Sequence, residues 1–192
     1  MPEIILASAS QYRAELLRKL HLDFISCGSN VDETPLPGES PELLAKRLSQ
    51  AKAEALSAMY PNHLIVGSDQ VAVCGNELLS KPGDRTQAIR QLKMQSGQTV
   101  RFYTGICVLN SATGHYLNDI DICSVHFKTL SDSQIERYVD LEKPFDCAGS
   151  FKSEGLGIAL FSRIEGDDPN ALVGLPLIKL TGLLARFGID VI

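Results

Sequence analysis

The apolar residues of this chain fall into short unbroken runs, and the clearest of them covers residues 64–66. A short apolar run bounded by turn signals predicts a strand that is buried on both faces. We expect this strand to end at Gly67 and Ser68, after which the carboxylate of Asp69 follows. Ligand sites of open α/β sheets lie beyond the carboxyl ends of strands. Asp69 therefore either caps a turn or belongs to a functional site, and this stretch alone leaves both interpretations open.

Helical periodicity is clear in the segment that precedes this strand. Ser40, Pro41 and Glu42 supply an N-cap, a first-turn proline and an early acid, which together predict the start of a helix. The apolar stripe of this helix consists of Leu44, Leu48, Ala51 and Ala55. Lys52 lies at the margin of the stripe, where a lysine either extends its ammonium group to water or reaches into a cleft.

The rest of the chain repeats these two patterns. Apolar runs predict further strands at residues 4–7, 24–27, 100–109 and 158–164. Two more strands are expected after the turn at 110–114, and the second of them carries Val125 and Phe127. Further helices are predicted at residues 11–20, at 86–96, after the capping box at 131–134, and at 177–187. Helices alternate with strands early and an antiparallel meander follows, so we expect an α/β protein with a mixed sheet.

The composition is that of a globular protein, with 44% hydrophobic and 21% charged residues in a chain of 192. This length predicts a single domain over residues 1–192. No run approaches the roughly 20 apolar residues of a membrane helix, and the first residues lack the pattern of a signal peptide, so no membrane partner is expected. The net charge of -5 disfavours a nucleic-acid duplex as partner but allows a small anion in a local basic pocket.

The cysteines are odd in number and include no C-x-x-C pair, which argues against a zinc site and against a disulfide framework. They are Cys27, Cys74, Cys107, Cys123 and Cys147. We expect reduced thiols, which predicts a cytoplasmic protein.

A possible anion site lies between the first predicted strand and the first helix. Ser8 follows the strand, Ser10 is a good N-cap, and Arg13 stands in the first helical turn. The free N–H groups of a helix N-terminus attract a phosphate, and an arginine can bind it with two hydrogen bonds. The alternative is a capped helix with one surface arginine.

Charged side chains also occur in three loops. Asp32 and Glu33 belong to a proline-containing loop, where acids are either simply hydrated or ligands of a metal. Lys81 stands at the centre of a turn. The segment 147–157 is rich in small residues and includes the acid Glu154, so backbone can approach a ligand closely there.

Several short motifs follow one another in order along nearly the whole chain. They are Ser8-x-Ser10-x-x-Arg13, Val31-Asp32-Glu33, Lys52-Ala53, Gly67-Ser68-Asp69-Gln70, Lys81-Pro82, Ser96-Gly97, Tyr103-Thr104-Gly105, Ala148-Gly149 and Val173-Gly174-Leu175-Pro176. In this combination the chain resembles the Maf family of nucleoside triphosphate pyrophosphatases. The resemblance implies an elongated mixed β-sheet with flanking helices that form two lobes around a cleft, a fold related to the inosine triphosphate pyrophosphatases. It also implies hydrolysis of a nucleoside triphosphate to the monophosphate and pyrophosphate, a divalent metal (Mg2+ or Mn2+) and a homodimer.

The resemblance assigns roles to individual residues. Asp69 matches the residue that the family uses as proton acceptor. The residues expected to bind phosphate are Ser8, Ser10, Arg13, Lys52 and Lys81. A metal held by Glu33 and Asp69 would complete the neutralisation of charge on the phosphate oxygens.

The choice of base is carried in the family by three positions, which here are Tyr12, Gln70 and Glu154. Ser68 and the segment 148–155 are similar to the branch that acts on 7-methyl-GTP. The ring of Tyr12 could attract the cationic base, and Glu154 could accept its N–H groups, so we expect Glu154→Gln to lower activity on 7-methyl-GTP more than on UTP. Two alternatives are the same reaction on dTTP, UTP or another modified nucleotide, and a nucleotide-sensing regulator of cell division.

Overall fold

The computed structural model describes residues 3–192, which form five α-helices and seven β-strands in alternation. The helices are α1 (Gln11–Arg18), α2 (Pro41–Glu54), α3 (Arg85–Gln95), α4 (Asp132–Glu142) and α5 (Leu177–Arg186). The strands are β1 (Ile4–Leu6), β2 (Phe24–Ser26), β3 (Leu64–Cys74), β4 (Glu77–Leu79), β5 (Thr99–Asn110), β6 (Tyr116–Phe127) and β7 (Phe161–Glu165). Among these residues, no helix is both long enough and apolar enough to cross a membrane.

The strands form one mixed sheet in the order β2-β1-β3-β5-β6-β7, and β4 pairs with β3 outside this path. The strands β2 and β3 both pair with β1 in parallel, whereas β6 and β7 are antiparallel. The mixed α/β sheet predicted from the alternation of patterns is therefore confirmed.

The strand predicted at residues 64–66 is longer than expected. It corresponds to β3, which does not end at Gly67 but continues through Asp69 to Cys74. Gly67 is not a turn residue. A Cβ atom at this position would lie 2.1 Å from the carbonyl oxygen of Ser49 in α2. The glycine is therefore needed for the close approach of α2 to the strand, and Asp69 lies inside the strand rather than beyond its end.

Three further expectations are corrected. The two strands expected after the turn at 110–114 are a single strand, β6. The predicted strand at 158–164 begins only at Phe161, because residues Leu156–Leu160 form a 3-10 helix. In α2, Ala55 is exposed and Lys52 is buried, so the buried face includes Lys52 in place of the last alanine of the predicted stripe.

The chain divides into two compact units. The first comprises residues up to Gln70, Tyr103–Asp121 and Asp168–Ile192, and the second comprises Val71–Phe102 and Ile122–Asp167. The single domain expected over residues 1–192 stays a prediction.

The core of the first unit lies on both faces of β1 and β3. Leu6 and Val66 pack on one face with Leu17 and Leu180, in a cluster to which α1 and α5 contribute. Ile5 and Ile65 pack on the other face, where Ala53 of α2 belongs to the cluster. The alternation confirms that the run at residues 64–66 is buried on both faces.

The second unit has an aromatic core. Its ring pairs meet edge to face at centroid distances of 4.8–5.6 Å. The rings are those of Phe102, Phe127, Phe151 and Phe161.

Candidate active site

The close packing of α2 on the sheet brings one lysine to Asp69. Gly67 and Gly105 both lie against the backbone of α2, and a Cβ atom at Gly105 would come within 2.3 Å of the carbonyl oxygen of Ala45. Lys52 lies two residues after Gln50 on the same helix and belongs to its buried face. With both strands this close to the helix axis, the Lys52 ammonium group reaches the carboxylate of Asp69 within the first unit.

Lys52 is held between two carboxylates. Its Nζ atom lies 2.5 Å from Oδ1 of Asp69 and 2.6 Å from Oε1 of Glu33. Asp69 and Lys52 are only 6% and 8% exposed, whereas the side chain of Glu33 is 61% exposed. Glu33 thus lies on the solvent side of the group, and it forms an ion pair instead of being merely hydrated.

The protonation of Asp69 reflects opposing forces. Burial raises the pKa of the Asp69 carboxyl above its usual value, and the nearby charge of Glu33 acts in the same direction. Lys52 and Arg13 oppose this rise with their positive charges. An acid of raised pKa beside cations is the arrangement expected of a base that must accept a proton during catalysis.

Arg13 is placed by the start of α1. The Oγ atom of Ser10 caps the helix by accepting from the backbone N–H of Arg13, and the Oγ atom of Ser8 accepts from the backbone N–H of Ser10. Nε of Arg13 donates to the carbonyl oxygen of Gly174 at 2.9 Å, and Nη1 lies 3.5 Å from Oγ of Ser8. The predicted N-cap of this helix is confirmed, and the proposed phosphate-binding residues Ser8, Ser10 and Arg13 lie at the same helix N-terminus.

The Arg13 guanidinium also interacts with the acids of the site. Burial lowers its pKa, while the charges of Asp69 and Glu33 act to raise it. A guanidinium remains protonated in proteins, so Arg13 supplies a fixed positive charge beside the two carboxylates.

Sequence reasoning missed the role of the loop 168–174. Its carbonyl groups accept hydrogen bonds from Gln70 and Thr104 as well as from Arg13 and Ser68. The motifs had indicated Thr104 and Gly174 only as pieces of a family pattern. The sequence separation of 161 residues between Arg13 and Gly174 explains why no local pattern revealed the contact.

Of the predicted site residues, most belong to the first unit. These are Ser8, Ser10, Tyr12, Arg13, Glu33, Lys52, Asp69 and Gln70. Tyr12 is half-buried in the first turn of α1, next to Arg13. Lys81 and Glu154 are exposed residues of the second unit, and their membership of the site stays a prediction.

In the second unit, the segment that carries Glu154 is tied to α4. The phenolic oxygen of Tyr138 accepts from the backbone N–H of Lys152 at 3.0 Å. A carboxylate oxygen of Glu142 accepts from the backbone N–H of Leu156 at 2.8 Å. Gly157 allows the chain to turn back here, because a Cβ atom at this position would lie 2.3 Å from the carbonyl oxygen of Lys152.

The donor set of the first unit is compatible with a divalent metal completed by substrate. Within residues 3–192, no three histidine, cysteine or acidic side chains come together in a way that could hold a metal ion. Asp69 and Glu33 nevertheless meet at a single ammonium group. Mg2+ is commonly held by one or two carboxylates together with substrate phosphates, so two acids are a sufficient protein contribution.

Comparison with solved structures defines the fold. A Ham1 protein of Coxiella burnetii matches with a TM-score of 0.51 and 16% identity, over 97% of this chain and 100% of that chain. The Ham1 protein of Staphylococcus aureus matches with a TM-score of 0.50 and 15% identity over the same shares. The chain therefore has the α/β fold of the Ham1 proteins, and the fold class implied by the resemblance is confirmed.

Comparison of sequences identifies the family. The family model described as "Maf-like protein" matches residues 3–187, and the chain belongs to the Maf family. The 7-methyl-GTP pyrophosphatase of Alcanivorax borkumensis is 57% identical over 189 residues, which are 98% of this chain and 96% of that protein. The 7-methyl-GTP pyrophosphatase of Nitrosococcus oceani is 52% identical over 191 residues, which are 100% of this chain and 96% of that protein.

Proposed function

We propose that this protein is an enzyme that hydrolyses 7-methyl-GTP to 7-methyl-GMP and pyrophosphate. The reaction class rests on one observation above all: Lys52 contacts both the buried Asp69 and the more exposed Glu33, close to the charge of Arg13. The preference for 7-methyl-GTP is supported by the names of relatives that are 52–57% identical over nearly their whole length.

The cations of the site would bind the triphosphate. The Arg13 guanidinium and the Lys52 ammonium group both carry positive charge that acts on the Asp69 carboxylate. Ser8 and the capped N-terminus of α1 add hydroxyl and dipole contributions. Positive charge that is fixed in advance stabilises the negative charge that develops on phosphate oxygens, at no cost of reorganisation during the reaction. Lys81 is proposed to complete this set from the second unit.

Asp69 is proposed as the base. Water attacks the α-phosphorus, the bond from that phosphorus to the oxygen bridging to the β-phosphate breaks, and pyrophosphate leaves. Asp69 accepts the proton that the attacking water loses, with Lys52 holding its Oδ1 atom in place. A carboxylate of raised pKa is a stronger base than an ordinary one, which suits this role.

A divalent cation, Mg2+ or Mn2+, is proposed to be bound by Glu33 and Asp69 together with phosphate oxygens. When bound, it would supply positive charge to the phosphates and acidify water. Lys52 contacts both carboxylates, so its ammonium group would share their charge with the cation.

The nucleobase of the substrate is proposed to be recognised by Tyr12 and Glu154. An aromatic face attracts a cationic ring with on the order of 0.5–2 kcal/mol, and N7-methylguanine carries such a charge. The Glu154 carboxylate would accept hydrogen bonds from the N–H edge of the same base. Gln70, the third position, lies on β3 directly after Asp69.

The experiment is a nucleotide panel. Pyrophosphate release from 7-methyl-GTP, GTP, dTTP and UTP is measured with magnesium, with manganese and with a chelator, for the wild type and for Glu154→Gln. We expect 7-methyl-GTP to be the best substrate, activity to require the metal, and Glu154→Gln to lose more activity on 7-methyl-GTP than on UTP. Preference for dTTP or UTP would move the enzyme to the other branch, and nucleotide binding without turnover would favour a sensor.

The cellular setting is also a proposal. We propose that the protein is cytoplasmic, because reduced thiols persist in a reducing compartment and its five cysteines are free thiols in the structure. A homodimer is proposed from the family resemblance alone, and light scattering of the purified protein tests it.

A further inference from the structure

The loop 168–174 is held by several hydrogen bonds within the first unit. Asp168, which is 1% exposed, joins the start of the loop to α5. Its Oδ1 atom accepts from the backbone N–H of Asn170, and its Oδ2 atom accepts from the backbone N–H of Ile178 at 2.6 Å. The loop is therefore fixed to the first turn of α5 before it meets any residue of the proposed active site.

The carbonyl groups of this loop are engaged by two residues of the strands. The hydroxyl group of Thr104, a fully buried residue of β5, donates to the carbonyl oxygen of Ala171 at 3.0 Å. Nε2 of Gln70 lies 2.9 Å from the same oxygen, 3.1 Å from the carbonyl oxygen of Leu172 and 3.1 Å from Oγ1 of Thr104. An amide nitrogen has two hydrogens and here faces three acceptors, so it is committed to the loop.

The same loop ends at the residue that holds Arg13. The Gly174 carbonyl oxygen accepts from Nε of Arg13 at 2.9 Å, and the hydroxyl group of Ser68 lies between this oxygen and the carbonyl oxygen of Gly105, at 2.9 and 2.8 Å. Gly174 adopts φ +116, and a Cβ atom there would lie 3.3 Å from Nε of Arg13. The position of this carbonyl therefore sets the direction in which the Arg13 guanidinium points.

We propose that Thr104 is a positioning residue that acts on the reaction through the loop 168–174 and Arg13. This inference rests on the proposed function, in which Arg13 binds the triphosphate. The hydroxyl group of Thr104 holds the loop, and the loop holds the arginine. Because the triphosphate is common to all nucleoside triphosphates, loss of this support should affect every substrate alike.

The test combines Thr104→Val with Arg13→Lys, which lacks the Nε donor. A misplacement of about 1 Å at a reacting group can cost about 100-fold in rate, so we expect Thr104→Val to lose about 10- to 100-fold in kcat/KM. The loss should be equal for 7-methyl-GTP and UTP. In the Arg13→Lys background, Thr104→Val should cause less than about a twofold further loss, since residues that act through one partner are not additive.

Ser111→Ala is the matched control. Its hydroxyl group lies 2.6 Å from the carbonyl oxygen of Tyr60 and 3.1 Å from that of His63, so it also joins backbone segments of the first unit. It should lose no more than about twofold in activity, even where its melting temperature falls as far as that of Thr104→Val. A full effect of Thr104→Val in the Arg13→Lys background, or a change of the 7-methyl-GTP to UTP ratio in Thr104→Val alone, would overturn the proposal.

Binding of inorganic tripolyphosphate, measured by calorimetry, separates this proposal from the proposed function. We expect Thr104→Val to weaken the binding about fivefold or more in the wild-type background and not in Arg13→Lys. This result would stand even if the wild type hydrolysed another nucleotide or none. Equal weakening in both backgrounds would show that Thr104 acts on the fold in general and not through Arg13.

Discussion

The two compact units hold their proposed functional residues in contrasting environments. In the first unit, Asp69 and Lys52 are almost completely buried and contact each other directly. In the second unit, Lys81 and Glu154 are exposed, and the Glu154 carboxylate accepts from the hydroxyl group of the adjacent Ser153 at 3.3 Å. Charges of the first unit are thus positioned by one another, whereas those of the second are positioned by the backbone that carries them.

This contrast indicates a division of labour. A buried charge is strongly coupled to its neighbours, so removing one partner changes the properties of all of them. An exposed side chain on an anchored segment depends on the anchors, here Tyr138 and Glu142 for the segment that carries Glu154. Substitutions of the buried charges in the first unit should therefore change the rate on every substrate, and substitutions of the anchors in the second should change the choice among substrates.

The largest expected effect is that of Asp69→Asn. The amide has nearly the same shape as the carboxylate but cannot accept a proton from water, so kcat should fall by about 100- to 10,000-fold. Pyrophosphate release from 7-methyl-GTP measures the loss, and the melting temperature checks the fold. Retention of a tenth of the activity or more would show that another group takes the proton.

The pH profile of the wild type sharpens this prediction. Burial raises the pKa of Asp69, and a base is active only when it is deprotonated. Activity should therefore fall as the pH decreases, and it should begin to fall above the range in which an ordinary aspartate titrates. The residual activity of Asp69→Asn should lack this acidic limb.

Local features of the fold were predictable from the sequence because their causes are local. The N-caps Ser10, Ser40 and Ser131 were all indicated by small polar residues before helical patterns, and each accepts a backbone hydrogen bond in the structure. The reciprocal capping box that begins at Ser131 is confirmed as well. Such signals need only the few residues on either side.

The site was less predictable where it depends on distant segments. Gly67 is a residue type typical of turns, yet here it allows the backbone of α2 to pack closely on the strand. The residues of the strand alone do not indicate this role. Lys52 has the spacing of a margin residue, and its burial follows from two acids that lie elsewhere in the sequence. Only the family resemblance, which draws on motifs along the whole chain, grouped these residues before the structure did.

A smaller and more selective effect is expected for Tyr138→Phe. The variant removes the oxygen that accepts from the backbone N–H of Lys152. One neutral hydrogen bond contributes about 0.5–1.5 kcal/mol, so the ratio of activity on 7-methyl-GTP to activity on UTP should fall about two- to tenfold. Activity on UTP should change much less.

Tyr116→Phe serves as the control for this variant, since Tyr116 is 40% exposed at the start of β6. It should leave the ratio unchanged. The informative comparison is with Glu154→Gln, because an anchor of the segment should shift the ratio in the same direction and by less. An equal loss of activity on both nucleotides in Tyr138→Phe would contradict the prediction that this anchor affects the choice among substrates.

The smallest expected effect concerns stability in acid and the loop that carries Glu33. Nε and Nη2 of Arg47 donate to the two carboxylate oxygens of Glu39 at 2.6 and 2.8 Å, and Nη2 also donates to the carbonyl oxygen of Thr34 at 3.1 Å. These hydrogen bonds lower the pKa of Glu39 from 4.5 to about 2. A lowered pKa means that the pair stabilises the fold fully above pH 4.5, and that this stabilisation is lost as the pH falls towards about 2.

Glu39→Gln should therefore be less stable than the wild type at neutral pH, and the difference should shrink as the pH falls through the same range. Urea unfolding at a series of pH values measures it. Leu43→Met changes an exposed residue of α2 without altering any charge, so its difference from the wild type should not shrink in this way. If the curves of Glu39→Gln and the wild type ran parallel from neutral pH to pH 2, the hydrogen bonds to Arg47 would not hold the loop. The position of Glu33 over Lys52 would then need another cause.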